Sequence, residues 1–229
     1  MISAKPSQIE KIITSMHGVI PELLARELLL DWGLPVAKFK TATNLFEAIQ
    51  HASEIGYPVV LKVNSPKIIH KTDVGGVCLN LKNQIDLEEA YQTIFQSCRK
   101  LDPHFKVTVE KMYQTGVEVI VGVSQDEQFG PVIMFGLGGI FVELYKDVVF
   151  RLIPLNDIQA VKMIESIKAY KLLTGFRGKP GIDLSSLRNI LVSVSELISK
   201  YPQISELDLN PVILYPDRSI IVDTRIVVQ

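Results

Sequence analysis

Residues 57–77, YPVVLKVNSPKIIHKTDVGGV, bring together three residue types suited to phosphate chemistry: a strand lysine, Lys62, a loop histidine, His70, and a glycine pair, Gly75 and Gly76. A lysine inside an aliphatic strand needs an anion beside it, because an unpaired ammonium is costly to bury. Lys62 offers a compact cation to a phosphate, and the glycines let backbone N–H groups approach an anion closely. His70 follows an X-Pro turn and is flanked by Lys71 and Asp73. Its imidazole could attack a phosphoryl group while a carboxylate or carbonyl holds the other ring nitrogen. The plain alternative for Lys62 is an exposed strand face. His17, His51 and His104 read as ordinary surface or satisfied histidines.

A second group of polar residues lies near the C-terminus, in SELDLNPVIL (205–214) and SIIVDTRI (219–226). Strand alternation puts Glu206, Asp208 and Asn210 on one face and Leu207 and Leu209 on the other. A turn over Tyr215–Arg218 places Asn210 within about one residue of Asp223 in the hairpin register. Such oxygens suit magnesium, which takes one or two carboxylates and completes its shell with phosphates and water. The competing reading is a solvated polar strand face.

Two further segments could face a ligand. FGPVIMFGLGGIFVE (129–143) is a strand followed by a glycine turn at Gly138 and Gly139, without the G-x-G-x-x-G spacing of a dinucleotide site. In DVVFRL (147–152), Asp147, Val149 and Arg151 share a face, which leaves Arg151 as either a phosphate fork or the partner of Asp147. Between Glu110 and Gly116 a strand gives way to the connector YQTG, the best internal boundary.

These residues must be held by a mixed scaffold, since helical and strand periods alternate along the chain. Helices are expected from Pro21 to about Trp32, from the cap Asn44 to Gly56, after a capping-box-like start at Asp86 and Glu89, and near 156–168 and 184–200. Strands are expected at 59–63, 77–81, 107–112, 117–123, 131–135 and 147–153, with a closing hairpin. Leu173–Gly181 reads as a basic, glycine-rich loop. With 229 residues, 47% of them hydrophobic, the chain can bury a large core. Twenty-four basic residues nearly cancel 25 acidic ones, which argues against nucleic-acid or anionic-membrane binding. No run approaches the roughly 20 apolar residues of a membrane helix, and no signal-peptide core is visible, so a cytoplasmic protein is expected. Cys78 and Cys98 lack metal or redox spacing and read as reduced thiols, with Cys98 on a buried helix stripe.

In this order, GYPVVLKVNSPKIIHKTDVGGV, FGPVIMFGLGGIFVELYKDVVFRLIPL and ELDLNPVILYPDRSIIVDTRI resemble the ATP-grasp β subunit, the nucleotide-binding half, of ADP-forming acetyl-CoA synthetase and related acyl-CoA synthetases. The likeness runs from about Pro21 to Val228, and extends more distantly to the β subunit of succinyl-CoA synthetase, whose corresponding loop has no histidine. It implies an α+β ATP-grasp fold of two lobes, 1–111 and 112–229, with a nucleotide in the cleft between them. Lys62 matches the phosphate-contacting lysine, Glu110, Lys111, Met112 and Glu118 the adenine and ribose region, and Asn210 and Asp223 the magnesium ligands, helped by Asp208. Gly138, Gly139 and Arg151 match the family pattern near the phosphates. His70 matches the histidine that takes a phosphoryl group from a phosphohistidine on an α subunit and delivers it to MgADP. Activity would then require that CoA-binding partner, in an α2β2 assembly. Two rivals are a carboxylate–amine ligase of the same fold and a non-catalytic nucleotide-sensing subunit.

Overall fold

The computed structural model describes residues 8–65, 67–68, 71–139 and 147–229, which form two compact units. One unit runs from Ala37 to Gln114; the other combines the chain up to Val36 with Thr115–Gln229.

In the unit of residues 37–114, strands β2 (Phe39–Ala42), β3 (Val59–Asn64), β4 (Val77–Leu81) and β5 (Lys106–Lys111) make an antiparallel sheet of order β2-β5-β3-β4. Helices α3 (Leu45–Ile55) and α4 (Gln84–Cys98) pack on one face, burying Ala48, Ala52, Leu87, Ile94 and Cys98 against Val59, Leu61, Val63, Val107 and Val109. The side chain of Asn44 caps α3 by accepting from Glu47 N–H, and Gly56, at φ +84°, ends it where a Cβ would be strained. The cap of α4 is Asn83, not the expected start at Asp86: Asn83 accepts from Asp86 N–H, and Asp86 reaches back to Lys82 N–H at 2.8 Å. The other face of this sheet carries Val60, Lys62, Thr108 and Glu110.

The second unit is built on strands β1 (Gly18–Val19), β6 (Val117–Asp126), β7 (Gly130–Leu137), β8 (Val148–Leu152), β11 (Ile204–Leu214) and β13 (Thr224–Val228), ordered β1-β13-β11-β6-β7-β8, with β12 (Ser219–Ile221) also on β11. Alternate residues Val119, Val121, Val123, Ile133, Phe135, Leu207, Leu209 and Ile226 turn to one face. There they share a core with helices α1 (Gln8–Ser15), α2 (Glu22–Asp31), α5 (Asp157–Glu165), α6 (Tyr170–Thr174) and α7 (Leu184–Lys200). Asn156 and Gln159 form a reciprocal capping box on α5, and Asp183 accepts from Ser185 and Ser186 N–H groups at the start of α7.

The sequence reading divides the chain once, at 111/112, whereas it crosses between units at 36/37 and again at 114/115. Ile9, Ile12, Ile13, Leu28 and Leu29 belong to the core that holds Val119 and Leu207. An apolar stripe reveals that a helix will be covered, not which sheet covers it. The closing hairpin is also split: β12 and β13 pair separately with β11. The expected loop at 173–181 contains the end of α6 and a small hairpin, β9 (Gly175–Phe176) with β10 (Lys179–Pro180), turned by Arg177 at φ +50° and Gly178 at φ +78°. Both cysteines are free thiols, with Cys98 fully buried as expected. No helix among the described residues is long and apolar enough to cross a membrane.

Candidate active site

In the unit of residues 37–114, Lys62 sits mid-strand between Thr108 of β5 and Val77 of β4. Its Nζ lies 3.0 Å from Glu110 Oε2, with the lysine side chain 15% exposed and the carboxylate 3%. The chain's own carboxylate is therefore the first anion to meet this strand lysine. Glu110 is held in place by backbone pairing to Phe39 on one side and Val60 on the other. Lys111 points elsewhere: its ammonium donates to the carbonyls of Gly56 and Tyr57 at 2.7 and 3.1 Å, where it satisfies the C-terminal end of α3. Met112 N–H donates to Pro58 O at 3.1 Å.

The glycine pair closes a turn. Gly75 N–H donates to Thr72 O at 3.1 Å and Gly76 N–H to Lys71 O at 2.7 Å, so both donors expected to cradle an anion are already engaged within the loop. A Cβ on Gly76 would lie 2.5 Å from Val63 Cγ1 and 2.9 Å from Lys71 O, which is why only glycine fits there. Pro66, Ile69 and His70 lie outside the described residues. On the near side of the same loop, Ser65 donates to Asp102 Oδ2 at 2.7 Å and accepts from Lys67 N–H at 3.0 Å. Asp102 also accepts from His104 N–H at 3.1 Å, and the Lys67 ammonium stands 3.6 Å from its Oδ1. The Ser65 hydroxyl first, then His104 N–H, hold the Asp102 carboxyl below the usual carboxylate range.

In the second unit the helix-free face of the sheet can be followed row by row through its register. One row reads Phe150, Met134, Gly122, Asp208, Arg225 across β8, β7, β6, β11 and β13. Gly122 leaves a gap between the apolar and polar ends, and a cavity of about 200 Å³ lies there, lined among others by Ser124, Met134, Phe150, Asp208 and Arg225. Burial pushes the half-buried Asp208 carboxyl up, partly offset by Arg225. Two residues along β11, about 7 Å at the rise of a strand, Asn210 N–H donates to Asp223 O at 3.2 Å. Asp223 Oδ1 accepts from Thr224 N–H at 2.7 Å. Between Leu209 and Val212 the register against β6 shifts by a bulge, which includes Asn210 and leaves its side chain exposed.

Glu118 and the second glycine turn come together at the same end of β6. Gly138 N–H donates to Glu118 O at 2.7 Å, and a Cβ on Gly138 would lie 3.0 Å from the Glu118 carbonyl carbon. Gly139 takes φ +62° with its Cβ direction 3.3 Å from Glu118 Oε2. Arg151 does not join this group. It pairs with buried Ile133, so its side chain is on the helix-covered face, where it donates to Ser166 Oγ at 3.2 Å and to Phe150 O at 2.8 Å. Asp147 shares that face but caps Lys168 and Ala169 N–H groups, both at 2.8 Å, rather than pairing with Arg151.

Sequence reasoning missed Ser65, Asp102 and Gly122. A lone glycine in the strand VEVIVGVSQD is a signal of close approach that could have singled out Gly122. Nothing local marks Ser65 and Asp102 as partners. The donor set Asp208, Asn210 and Asp223 consists of two carboxylates and an amide oxygen on neighbouring rows, which suits a hard divalent cation. Among the described residues no cage of three or more His, Cys, Asp or Glu side chains is gathered.

One sheet carries a half-buried strand lysine and the other an Asn–Asp backbone pair near a half-buried aspartate, and residues 11–228 match the ATP-grasp domain family. The chain belongs to the ATP-grasp family. Within that family it stands with the β subunits of ADP-forming acetyl-CoA synthetases. It is 45% identical over 227 residues to the β subunit of acetate–CoA ligase [ADP-forming] I of Pyrococcus furiosus, covering 98% of both chains. It is 42% identical to acetate–CoA ligase [ADP-forming] I of Archaeoglobus fulgidus, where it covers 96% of this chain but 32% of that protein. Among solved ATP-grasp structures, it superposes with a TM-score of 0.83 and 41% identity on acetyl-coenzyme A synthetase 1 of Ca. Korarchaeum cryptofilum, covering 93% of each chain. That structure contains coenzyme A and Mg-AMPPCP, with a phosphohistidine segment pointing towards the nucleotide binding site.

Proposed function

We propose that this chain is the nucleotide-binding β subunit of an ADP-forming acetate or acyl-CoA ligase, and that His70 relays a phosphoryl group between a partner phosphohistidine and ADP. The net reaction is acyl-CoA + ADP + phosphate giving carboxylic acid + CoA + ATP, and it is reversible. The supporting observation is the backbone hydrogen bond between Asn210 and Asp223, two residues along β11 from Asp208.

Asp208, Asn210 and Asp223 would hold magnesium, which neutralises phosphate charge when bound. Lys62 would turn its ammonium from Glu110 towards nucleotide phosphates, with Glu110 and Met112 next to the base and Glu118 near the ribose. Gly138 and Gly139, packed against Glu118, would pass close to the nucleotide phosphates. His70 attacks phosphorus on the partner's phosphohistidine; the new N–P bond forms as the old one breaks, and the partner imidazole leaves. In the second step an ADP terminal oxygen attacks phosphorus and the His70 N–P bond breaks, which restores the imidazole. Catalysis is mainly positioning and charge stabilisation, since a loose phosphoryl transition state asks little covalent help.

The partner would be an α subunit carrying the CoA site and acyl-phosphate chemistry, in an α2β2 complex in the cytoplasm. The acetate–CoA ligase [ADP-forming] I of Archaeoglobus fulgidus, in which the matching part is 32% of the length, supports this division. The test is reconstitution: with an α subunit the chain should catalyse CoA-dependent ATP synthesis, and Asp223→Ala should abolish it. Unchanged turnover in Asp223→Ala, with the complex intact, would leave only a sensing or assembly role.

A further inference from the structure

We propose that Asp102, acting through Ser65, is a positioning residue for phosphoryl transfer, because it anchors the near side of the loop whose histidine carries the phosphoryl group. The inference rests on the role proposed for His70 and goes beyond it by naming what holds that loop in place.

Ser65 is the first residue after β3, the strand that presents Lys62. It is 8% exposed and Asp102 5% exposed, so their 2.7 Å hydrogen bond is largely shielded from water. Asp102 belongs to the turn after α4, where its N–H donates to Cys98 O at 3.0 Å. Its carboxylate collects the Ser65 hydroxyl, His104 N–H and the Lys67 ammonium. Ser65 in turn accepts from Lys67 N–H, and Ile68 N–H donates to Ser65 O at 3.3 Å while the Ile68 side chain is 4% exposed in the core. Three consecutive described links therefore fix the chain as it leaves β3.

The return side is fixed as well. Gly76 O accepts from Val63 N–H at 2.7 Å, and the Gly75 Cβ direction meets Ser97 Oγ of α4 at 3.5 Å. Both sides of the loop thus lie against the C-terminal end of one helix. A buried serine–aspartate pair serving only stability could sit anywhere in this core. Here it holds the residue that separates the lysine strand from the histidine loop. Displacing a reacting group by about 1 Å can cost on the order of a hundredfold in rate. An anchor released at this point should act on turnover before it acts on nucleotide binding.

The experiment compares Asp102→Asn, Ser65→Ala and the double variant in the reconstituted complex, with His70→Asn alongside. Asp102→Asn should lower kcat about tenfold with the KM for ADP changed by less than about twofold, and label on His70 should turn over correspondingly slowly. Ser65→Ala should act in the same direction, and the double variant should be no slower than Asp102→Asn, because both break one link. A kcat within about twofold of the parent in both single variants, with His70→Asn inactive, would overturn the proposal alone. A loss that merely follows the folded fraction, with kcat per folded molecule unchanged, would also overturn it. Full turnover by His70→Asn would remove the parent reading and this one together.

Discussion

The N–H of Asn210 in β11 donates to the carbonyl of Asp223, just before β13, at 3.2 Å, which brings the two residues side by side two positions along the strand from Asp208. Exchanging either side chain leaves that backbone link in place. Asn210→Ala and Asp223→Asn should each keep the far-ultraviolet dichroism of the parent while weakening magnesium-dependent nucleotide binding by about tenfold or more. Calorimetric titration with MgADP reads this directly. Unaltered affinity in both would move the metal site away from this hairpin.

Lys62 and Glu110 make the second relationship, 3.0 Å apart with the carboxylate 3% exposed. Lys62→Met removes the ammonium and leaves a buried charge behind, which should cost about 3 kcal/mol of stability. Adding Glu110→Gln to Lys62→Met should restore much of it. Urea unfolding of Lys62→Met and of the double variant checks the coupling, while turnover should stay low in both, since neither supplies a cation for phosphate.

Two aspartates should respond to acid in opposite ways. The Asp208 carboxyl is raised by burial, so its contribution to stability is present below the unfolded pKa and is lost as pH rises through the folded one. At neutral pH the ionised group is a cost, and Asp208→Asn should raise the Tm of the nucleotide-free protein at pH 7 and lose that advantage at acid pH. The Asp102 carboxyl is lowered, chiefly by Ser65, so it stabilises above the usual carboxylate range and stops doing so as pH falls through its folded value. Asp102→Asn should therefore lower Tm at pH 7, with the gap closing in acid. Scanning calorimetry over pH 3–8 separates the two signs.

Gly76 is a steric requirement of the loop. A methyl group there meets Val63 Cγ1 at 2.5 Å and Lys71 O at 2.9 Å, so Gly76→Ala should destabilise by about 2 kcal/mol through overpacking. Gly130 takes φ +77° with nothing within 4 Å of its Cβ direction, so Gly130→Ala is strained only by its backbone and should cost about 1 kcal/mol. Chemical denaturation of both variants gives the comparison.

Much of this arrangement can be read in the sequence because it depends on local period. Alternation in SELDLNPVIL and a turn near Asp217 are enough to bring Asn210 opposite Asp223, and the valine-rich run around Lys62 fixes its strand. What escapes is relational. Period two places Asp147, Val149 and Arg151 on one face but cannot say that helices cover that face, as the Arg151–Ser166 contact shows. The N–H groups of Gly75 and Gly76 look available until Thr72 and Lys71 carbonyls are found at their ends. Ser65 and Asp102 come from distant parts of the chain, and neither has a neighbour in sequence that announces the other. The helix expected from Pro21 shows an apolar stripe, but apart from the short β1 the strands of its partner sheet begin only at Val117.

The most direct measurement is phosphoryl labelling of the chain in complex with its α subunit. Incubation with γ-labelled ATP and magnesium should leave an acid-labile, base-stable label on the peptide containing His70, which chases into ATP on addition of ADP and is missing from His70→Asn. Equal labelling of His70→Asn, or a parent chain that turns over without ever carrying label, would contradict the account.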